Sequence, residues 1–584
     1  MNACCHVAPW FTGGMSSQRP WLVHYAPDVP ADITVPEGSL ADMLDTAVES
    51  FGDLIALDFF GRETTFADLG RRVSVAASAL QDLGVARGDR VAIVLPNCTE
   101  HVVAFHAILR LGAIVVEHNP LYTEDELAYQ FADHGARVII CWDAIALMAQ
   151  QAAPSGVTVV AVNISRDLPT SKRLALRLPI ARARAMRDAM TKPAPGLARW
   201  SDLVAAGHPL DPSTERPAEA DVALLQYTGG TTGRPKGAIL THRNLLANGA
   251  QSVAWVPMLK PGSEVFYAAL PLFHAYGLML CLVTSTMLGA TTVLFPRFDV
   301  DLMLDAMKRK PATFLPGVPP MYPRLVARAK ERGVSLSSVK LALAGAMSLA
   351  PEIVELWEDA SGGLLIEGYG MTETSPITLG NPASGTRRPG AIGIPFPSTD
   401  MRIVDRNDPT IDVAPGDPGE LLVRGPQVFS GYWNKPGETA ESLLPDGWMR
   451  TGDVVVQDPD SFVRVVDRIK ELILVGGFNV YPTEVERVLV AMPGIVEAAV
   501  VGLPGAQGEQ VVAAVVLEPG AQIDSEEVRA ECRRHLAGYK VPREIVVVDD
   551  LPVSTIGKVL HSRLRERLIE QRGPTVLVDG QASD

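Results

Sequence analysis

The stretch LLQYTGGTTGRPKGAILTHRNLL, residues 224–246, sets a glycine- and threonine-rich loop between two apolar runs. Its four glycines let backbone N–H groups converge on an anion, and its threonine hydroxyls add hydrogen-bond donors or a ligand for Mg²⁺. Lys236 supplies a point charge beside them. The stretch therefore predicts a loop that binds triphosphate, with a structural turn as the alternative.

Two familiar nucleotide-binding patterns do not account for this loop. A Walker A loop needs Gly-Lys-Ser/Thr, whereas Lys236 follows Pro235 and precedes Gly237. The Rossmann pattern needs a third glycine, which the segment EGYGMTET at residues 367–374 lacks. The sequence therefore predicts a phosphate site of another kind.

The whole-chain composition narrows the functional class. The chain has 584 residues and a net charge of -15, so several domains are expected and a general nucleic-acid partner is not. The amino-terminal residues lack the basic and apolar regions of a secretory signal. The cysteines have no metal-ligand spacing and are expected to be reduced thiols of a cytoplasmic protein: Cys4, Cys5, Cys98, Cys141, Cys281 and Cys532.

The hydrophobic pattern predicts an α/β protein with a mainly parallel sheet covered by helices. Amphipathic segments such as residues 64–85 alternate with short apolar runs such as DRVAIVLPN and GARVIICWD. The uncharged residues 276–295 contain hydroxyl side chains and Gly289, so a buried helix followed by a buried strand is favoured over a membrane span.

After about residue 400, short strands and turns predict a small β-subdomain, followed by a small carboxy-terminal α/β domain. The predicted organisation is an amino-terminal extension, a large nucleotide-binding domain, the small carboxy-terminal domain, which the resemblance described below implies to be mobile, and a disordered tail: residues 1–39, 40–466, 467–571 and 572–584.

Residues 163–192 form a basic segment in an acidic protein, with eight Arg or Lys residues against two Asp. A run of this kind is commonly a solvated helical surface. It is equally well suited to a peripheral contact with the inner face of a membrane, if the substrate is a lipid. The sequence leaves both interpretations open.

Beyond spacing, YTGGTTGRPKG closely resembles the phosphate loop of the adenylate-forming enzymes, the superfamily of acyl-CoA synthetases, peptide-synthetase adenylation domains and firefly luciferase. Companion motifs follow in the order found in that superfamily: LPLFHAYG, LAGAMSL, GYGMTET, GELLVRGPQVFSGYW, GWMRTGD, VVDRIKELILVGGFNVYPTEVE and STIGKVL. The resemblance extends from about residue 40 to about residue 568. Within the superfamily, the chain looks most like bacterial long-chain fatty acid–CoA ligases.

The resemblance implies a two-step ligase that uses ATP, Mg²⁺ and coenzyme A. A fatty acid, expected to be long-chain, becomes acyl-AMP with release of pyrophosphate, and coenzyme A then displaces AMP. The alternatives are an aryl- or medium-chain acyl-CoA ligase, an adenylate-former with another acceptor, and a non-catalytic acyl or nucleotide binder. A non-catalytic binder would have no need of the lysine in STIGKVL.

The resemblance also assigns residues to the nucleotide. The β- and γ-phosphates are assigned to Thr228, Thr231, Thr232 and Lys236. Mg²⁺ is assigned to Glu373 and Thr228, although Glu373 and Thr372 in an isolated motif would be interpreted as a helix cap. Tyr369 is expected to stack on adenine, opposite the small turn of Gly345, Ala346 and Met347. Asp453, assisted by Arg468, is expected to bind the ribose hydroxyls.

The remaining assignments concern the reacting groups. Lys558 corresponds to the lysine of the adenylation step, and Lys470 to the hinge about which the small domain rotates. Gly477 is expected to line the pantetheine channel, although Gly476 and Gly477 also suit a hairpin turn. His274 resembles a gate beside the acyl pocket, where a lone histidine is commonly structural.

Overall fold

The structure is a computed structural model, which describes residues 19–228, 235–468, 471–475, 478–505, 508–554 and 557–572. The side chains of residues 468, 478, 479 and 508 are also outside the description. The helices are, in chain order, α1 (Leu40–Phe51), α2 (Phe66–Asp82), α3 (Thr99–Arg110), α4 (Glu124–His134), α5 (Ala146–Ala152), α6 (Thr170–Ala175), α7 (Ala181–Met190), α8 (Trp200–Ala206), α9 (His242–Trp255), α10 (Ala275–Leu278), α11 (Ser285–Met287), α12 (Val300–Arg309), α13 (Met321–Arg332), α14 (Pro351–Ser361), α15 (Pro436–Ser442), α16 (Pro482–Val490), α17 (Ser525–His535) and α18 (His561–Arg572).

Strands alternate with these helices over most of the chain. In chain order they are β1 (Ile55–Phe59), β2 (Arg62–Thr65), β3 (Arg90–Val94), β4 (Ile114–Glu117), β5 (Val138–Trp142), β6 (Thr158–Val162), β7 (Ala198–Arg199), β8 (Val222–Thr228), β9 (Lys236–Thr241), β10 (Val265–Ala268), β11 (Thr291–Leu294), β12 (Phe314–Gly317), β13 (Leu341–Ala344), β14 (Leu364–Gly370), β15 (Ile377–Gly380), β16 (Ile394–Pro395), β17 (Asp400–Val404), β18 (Gly419–Arg424), β19 (Met449–Gln457), β20 (Val463–Arg468), β21 (Ile473–Val475), β22 (Phe478–Val480), β23 (Ile495–Gly505), β24 (Gly508–Leu517) and β25 (Glu544–Val547).

Two large, mainly parallel sheets form the amino-terminal part. One has the order β7-β6-β5-β3-β4-β8-β9, and only its edge strand β9 is antiparallel to its neighbour. The other has the order β16-β15-β14-β13-β12-β10-β11-β1-β2, with a parallel centre from β14 to β1. Parallel strands buried on both faces read as apolar runs, which confirms the predicted α/β class.

Two smaller sheets follow. Strands β17 to β20 form a four-stranded antiparallel sheet, which is the predicted β-subdomain. Strands β21 to β25 form a five-stranded sheet with a hydrophobic core of its own, which includes Val485, Val500 and Val515. A separate core is what an independently packed carboxy-terminal domain requires. The predicted boundary at residues 466 and 467 falls within β20, and it stays a prediction.

The uncharged residues 276–295 fold as a buried helix and a strand, as predicted. Helix α10 continues through a π-helical turn, Met279–Thr284, into α11, and β11 then enters the large sheet. Within the described residues, no helix combines the length and the apolarity that crossing a bilayer requires.

Side-chain caps fix the helices that flank the phosphate loop. Thr123 and Glu126 form a capping box at the start of α4, and Thr241 and Asn244 form one at the start of α9. Each pair satisfies backbone N–H groups that a helix start leaves without partners. Helix α9 thus begins directly after β9, at a defined position beside the loop.

Candidate active site

The ends of β8 and β9 place the described phosphate-loop residues opposite each other. Thr228 pairs with Lys236 across the antiparallel strands. The Lys236 ammonium contacts the carboxylate of Glu438 and lies 4.9 Å from the centroid of the Tyr432 ring. A cation held between a carboxylate and an aromatic face is kept at a fixed position, which is what binding a phosphate chain requires.

Glu373 lies in the same cluster of side chains. It sits in a short 3-10 turn, Thr372–Thr374, after β14, and it is buried. Tyr432 donates a hydrogen bond of 2.7 Å to Glu373 Oε1, and the backbone N–H of Phe429 donates to the Glu373 carbonyl at 2.8 Å. Tyr432 therefore connects Glu373 to Lys236 through one aromatic ring.

The donor atoms here fit Mg²⁺, although the described residues hold no group of three or more His, Cys, Asp or Glu side chains suited to a metal. Mg²⁺ takes oxygen ligands and is commonly bound by one or two carboxylates together with substrate phosphates and waters. Glu373 offers a buried carboxylate and Thr228 a hydroxyl at the end of β8. A dedicated cage of protein ligands is therefore not required.

The predicted adenine and ribose residues contact each other directly. The Tyr369 hydroxyl at the end of β14 donates a hydrogen bond of 2.5 Å to Asp453 Oδ2 on β19. Asp453 is buried, and its position in β19 lies opposite Arg468 in β20. The large parallel sheet and the β-subdomain thus meet at this pair.

The turn after β13 lies at the carboxyl edge of the large sheet, next to β14. Ala346 adopts φ +67°, the left-handed region that side chains rarely occupy. A Cβ on Gly345 would lie 3.1 Å from the Tyr276 ring, so a larger residue here would require that ring to shift. Binding sites in such sheets lie at the carboxyl ends of parallel strands, which agrees with the predicted contact with a base.

The loop that carries Lys558 in the carboxy-terminal domain lies against the same turn. Gly557 adopts φ +82°, and a Cβ there would lie 3.9 Å from Met347 Sδ. Two hydrogen bonds with Ser554 hold the backbone of Lys558. The Ser554 Oγ accepts from Lys558 N at 3.0 Å, and the Ser554 N–H donates to Lys558 O at 2.7 Å. The structure therefore brings the Lys558 loop against the turn that is predicted to hold the base.

His274 serves as the N-cap of α10, and its Nδ1 accepts a hydrogen bond from Tyr276 N at 3.3 Å. Surrounding protein lowers the pKa of His274 to about 4, because burial disfavours the charged ring, although part of its surface reaches solvent. The ring is therefore neutral near pH 7. This geometry describes a helix cap, and it leaves an acid–base role without support.

An apolar cavity of about 10 Å³ lies beside β13, the strand that leads to the turn of residues 345–347. It is scarcely large enough for one water molecule. Its lining comes from α9, the π-helical turn and the strands of the large sheet, including Trp255, Leu280, Thr284, Phe314 and Leu343. A larger surface groove of about 580 Å³, between α2 and α8, contains none of the predicted site residues.

Several predicted site residues fall outside the description of the structure. They are Thr231, Thr232, Lys470 and Gly477, together with the side chain of Arg468. Their assignments rest on the resemblance alone. Among the described residues, the structure joins Lys236 and Glu373 through Tyr432, and it brings Tyr369 into direct contact with Asp453.

Comparison with known proteins decides the family. The AMP-binding enzyme family matches residues 44–433, and its carboxy-terminal domain matches residues 484–558. This chain belongs to the AMP-binding enzyme family. The predicted resemblance to adenylate-forming enzymes is therefore confirmed.

Several relatives of this AMP-binding enzyme are similar over nearly its full length. The long-chain-fatty-acid–CoA ligase of Bacillus subtilis (strain 168) is 39% identical over 559 residues, covering 95% of this chain and 99% of the relative. The protein of the same name from Escherichia coli O157:H7 is 37% identical over 562 residues, with 95% and 99% covered. The feruloyl-CoA synthase of Amycolatopsis sp is 36% identical over 509 residues, with 87% and 94% covered.

Solved structures share the fold. ATP-bound MatB from Rhodopseudomonas palustris has a TM-score of 0.77 at 32% identity, over 90% of this chain and 98% of that chain. The anthranilate CoA ligase AuaEII, in complex with anthranoyl-AMP, has a TM-score of 0.78 at 26% identity, over 92% and 98%. Both structures contain nucleotide groups of the kind predicted for this AMP-binding enzyme.

Sequence reasoning missed several residues that shape the site. Tyr432 and Glu438 hold Glu373 and Lys236, yet no spacing rule connects residues so far apart. Gln226 Nε2 donates to the Phe273 carbonyl at 2.8 Å, directly before His274. The only available signal was a polar residue within the apolar run LLQY.

Asn97 is another residue that sequence reasoning missed. Its amide donates to the carbonyls of Ala268 and Leu270 at 2.9 and 2.7 Å, and its Oδ1 accepts from Leu272 N at 2.7 Å. A buried amide with three partners fixes the backbone that leads to His274. The signal was an asparagine at the end of the predicted strand DRVAIVLPN.

Proposed function

We propose that this protein is an ATP-dependent fatty acid–CoA ligase with a preference for long-chain acids. It forms acyl-AMP and pyrophosphate, and then acyl-CoA and AMP. The observation that carries this proposal is the position of the Lys558 loop, beside Met347 at the carboxyl edge of the large sheet. That edge also carries Tyr369, which donates a hydrogen bond to Asp453 of the β-subdomain.

In the first half-reaction, a carboxylate oxygen of the acid bonds to the α-phosphorus of ATP. The bond between that phosphorus and the pyrophosphate oxygen breaks. Lys558 lies between the carboxylate and the α-phosphate, where a cation stabilises negative charge as it moves. Lys236 and the threonines of the loop hold the β- and γ-phosphates.

Mg²⁺ belongs to this proposal as the ion held by Glu373 and Thr228. When bound, it neutralises part of the phosphate charge. Tyr432 keeps the Glu373 carboxylate in place through the 2.7 Å hydrogen bond. Tyr369 stacks on the base, with Thr372 at the start of the neighbouring turn, and Asp453 with Arg468 binds the ribose.

In the second half-reaction, the thiol sulfur of coenzyme A bonds to the acyl carbon. The bond from that carbon to the phosphate oxygen breaks, AMP leaves, and the thiol proton passes to solvent. The thiol needs the face that the Lys558 loop occupies, so the small domain must move between the steps. Lys470 is the proposed hinge and Gly477 the proposed channel residue.

The long-chain preference is supported by the apolar wall behind the turn. Uncharged residues of the π-helical turn and α9 line the cavity. The fatty acid ligases among the relatives match more of this chain than the feruloyl-CoA synthase does. Because the cavity holds about 10 Å³, a long chain must displace side chains as it enters.

An aryl-CoA ligase is the second candidate. A compact ring needs less displacement of the side chains around the small cavity than a long chain does, and the feruloyl-CoA synthase is 36% identical to this chain. An adenylate-former that uses an acceptor other than coenzyme A has no comparable observation in its favour.

Thioester formation with a panel of acids tests the proposal. Saturated acids of graded length, benzoate and coumarate are each supplied with ATP, Mg²⁺ and coenzyme A. A maximum at long chains is expected. A preference for aromatic acids would support the second candidate, and acyl-AMP without thioester would indicate another acceptor.

The role of Lys558 is tested in the same assay. Lys558→Ala is expected to lower acid-dependent pyrophosphate release by about 100-fold or more, and to spare thioester formation from supplied acyl-AMP. Lys540→Ala is the matched control, since Lys540 pairs with Glu484 inside the carboxy-terminal domain at 2.6 Å. Equal activity of both variants would remove Lys558 from the mechanism.

The proposed location is the cytoplasm, with a peripheral contact at the inner face of the membrane. Within residues 163–192, the exposed apolar side chains are Leu174, Leu178, Ile180 and Met186. They are interspersed with exposed basic residues on α6 and α7. An apolar and basic surface of this kind fits an anionic lipid surface.

Vesicle sedimentation tests this contact. Binding to vesicles with anionic lipid is expected, with little binding to neutral vesicles. The double variant Arg182→Glu, Arg184→Glu is expected to abolish vesicle binding. Acyl-CoA formation from short-chain acids, assayed without detergent, is expected to stay unchanged. Equal sedimentation of both proteins would leave the segment as a solvated surface.

A further inference from the structure

Helix α4 contacts both sides of the hairpin that carries the phosphate residues. On strand β8, the Tyr227 hydroxyl donates a hydrogen bond of 2.6 Å to Asp133 Oδ2. Directly before strand β9, the Pro235 carbonyl accepts a hydrogen bond of 3.3 Å from the Tyr129 hydroxyl. Both acting side chains come from one face of α4, one turn apart.

The two contacts lie directly before the residues that the proposed function assigns to phosphate. Tyr227 precedes Thr228, and Pro235 precedes Lys236. Thr228 and Lys236 pair with each other across the two strands. A shift of α4 would therefore move both assigned residues at once. Thr228 and Lys236 are assigned to the phosphates of ATP, and phosphate binding depends on fixed donor positions. The contacts of α4 are therefore expected to affect binding of the nucleotide and not of the acid.

The environment of Tyr227 makes its hydrogen bond necessary. Burial raises the pKa of Tyr227, with the hydrogen bond to Asp133 as a further cause, so the phenol stays protonated and acts as a donor. The His118 ring stacks on it with centroids 5.9 Å apart, and His118 Nδ1 hydrogen-bonds with Gln130 Oε1 at 2.8 Å. Without Asp133, a buried donor loses this acceptor.

The opposite strand leaves room for that ring. Tyr227 pairs with Gly237, and a Cβ on Gly237 would lie 3.4 Å from two atoms of the ring. Helix α4 itself is fixed at both ends, by its capping box and by Gly135 in the left-handed conformation. It also buries Leu127 and Phe131. A helix anchored in this way can hold other residues in place.

We infer that Tyr129 and Asp133 are positioning residues for the nucleotide, which act through Pro235 and Tyr227 on Lys236 and Thr228. The inference rests on the proposed function, since it takes from it the phosphate roles of those two residues. It assigns no contact between α4 and the substrate.

Calorimetric titration with ATP and Mg²⁺ tests the inference on the full-length protein. Tyr129→Phe and Asp133→Ala are each expected to raise the dissociation constant for ATP about five-fold, the effect of losing one hydrogen bond. Asp133→Asn is expected to behave as the wild type, because its amide oxygen still accepts the Tyr227 hydrogen bond. Asp125→Ala is the control, an exposed aspartate on the same helix.

Two further readouts separate positioning from general damage. The melting temperatures of Tyr129→Phe and wild type are expected to agree, and the KM for ATP is expected to rise while the KM for the acid does not. Unchanged ATP affinity in both loss variants, or equal loss in Asp133→Asn, would overturn the inference. A wild type that binds ATP but makes no acyl-CoA would overturn the proposed ligase activity alone.

Discussion

His106 and His118, both buried in the amino-terminal part, are neutral near pH 7 in the folded protein. Burial lowers the pKa of His106 to about 3 and that of His118 to about 4. Free histidine side chains have a pKa of about 6.5, so the unfolded chain binds these protons at a higher pH than the folded one does. This contribution to stability is complete above about pH 6.5 and is lost as the pH falls toward the folded values.

His106 offers the clearest test of this linkage, because burial lowers its pKa without a contribution from a neighbouring charge. Between pH 7 and pH 5, this one residue is expected to lower the free energy of unfolding by about 2 kcal/mol. His106→Met keeps a side chain of similar size without a titrating group. The variant is therefore expected to lose less stability over the same interval in urea unfolding.

Other titrating groups make the folded state more stable as the pH falls, so the pH dependence of the wild type must be compared with that of His106→Met. Burial raises the pKa of Glu367 and Asp167 to about 7, which favours the folded state as the pH falls. Both carboxyls are present in wild type and variant, and their effect cancels in the difference. An identical pH dependence in the two proteins would show that His106 titrates normally.

At the scale of elements, strand β14 shows how a turn positions the site. It carries Tyr369, and the residues after it carry Glu373. A Cβ on Gly370 would lie 1.7 Å from the backbone oxygen of Pro376, in the segment that leads to β15. Since both sides of this contact are backbone, neither can yield as a flexible side chain would.

Gly370→Ala is therefore expected to lower the free energy of unfolding by about 3 kcal/mol, and to reduce adenylation by displacing Glu373. Gly385→Ala is the matched control, because a Cβ there meets no atom within 4 Å and its backbone is not left-handed. Denaturant unfolding and pyrophosphate release measure the two effects. Similar stability for both variants would contradict the steric argument.

The same scale shows what the sequence could predict. Apolar runs and turn residues predicted the helix and strand of residues 276–295, because burial on all sides leaves few charges. They did not predict the π-helical turn Met279–Thr284. That turn packs against α9, where a Cβ on Gly249 would lie 3.0 Å from Val283 Cγ1, a contact that only the folded chain creates.

At the scale of the whole molecule, motifs identified residues but not the contacts between motifs. The resemblance assigned Lys236 and Glu373, whereas the contacts of Tyr432 with both depend on how the β-subdomain packs on the large sheet. The approach of Gly557 to Met347 likewise depends on how the carboxy-terminal part docks. Such contacts join distant segments, and no local pattern encodes them.

The docked arrangement includes an ion pair between the two parts of the chain. Arg563 on α18, shortly after Lys558, contacts Glu126 on α4 with an N–O distance of 3.2 Å. Glu126 also caps α4, so changing Glu126 would disturb the helix as well. Arg563 is therefore the better residue to vary. Because the pair is largely exposed, its effect is expected to be small and sensitive to salt.

If this pair favours the arrangement in which Lys558 faces the nucleotide, Arg563→Glu is expected to slow acyl-AMP formation about two- to five-fold at low ionic strength. Thioester formation from supplied acyl-AMP is expected to keep its rate, since it requires the small domain to leave this position. Arg563→Lys keeps the charge and is expected to retain activity. Arg567→Glu is the control, because Arg567 pairs with Asp550 within the carboxy-terminal part. Equal slowing of both half-reactions, or the same effect in Arg567→Glu, would show that the pair does not select between the two arrangements.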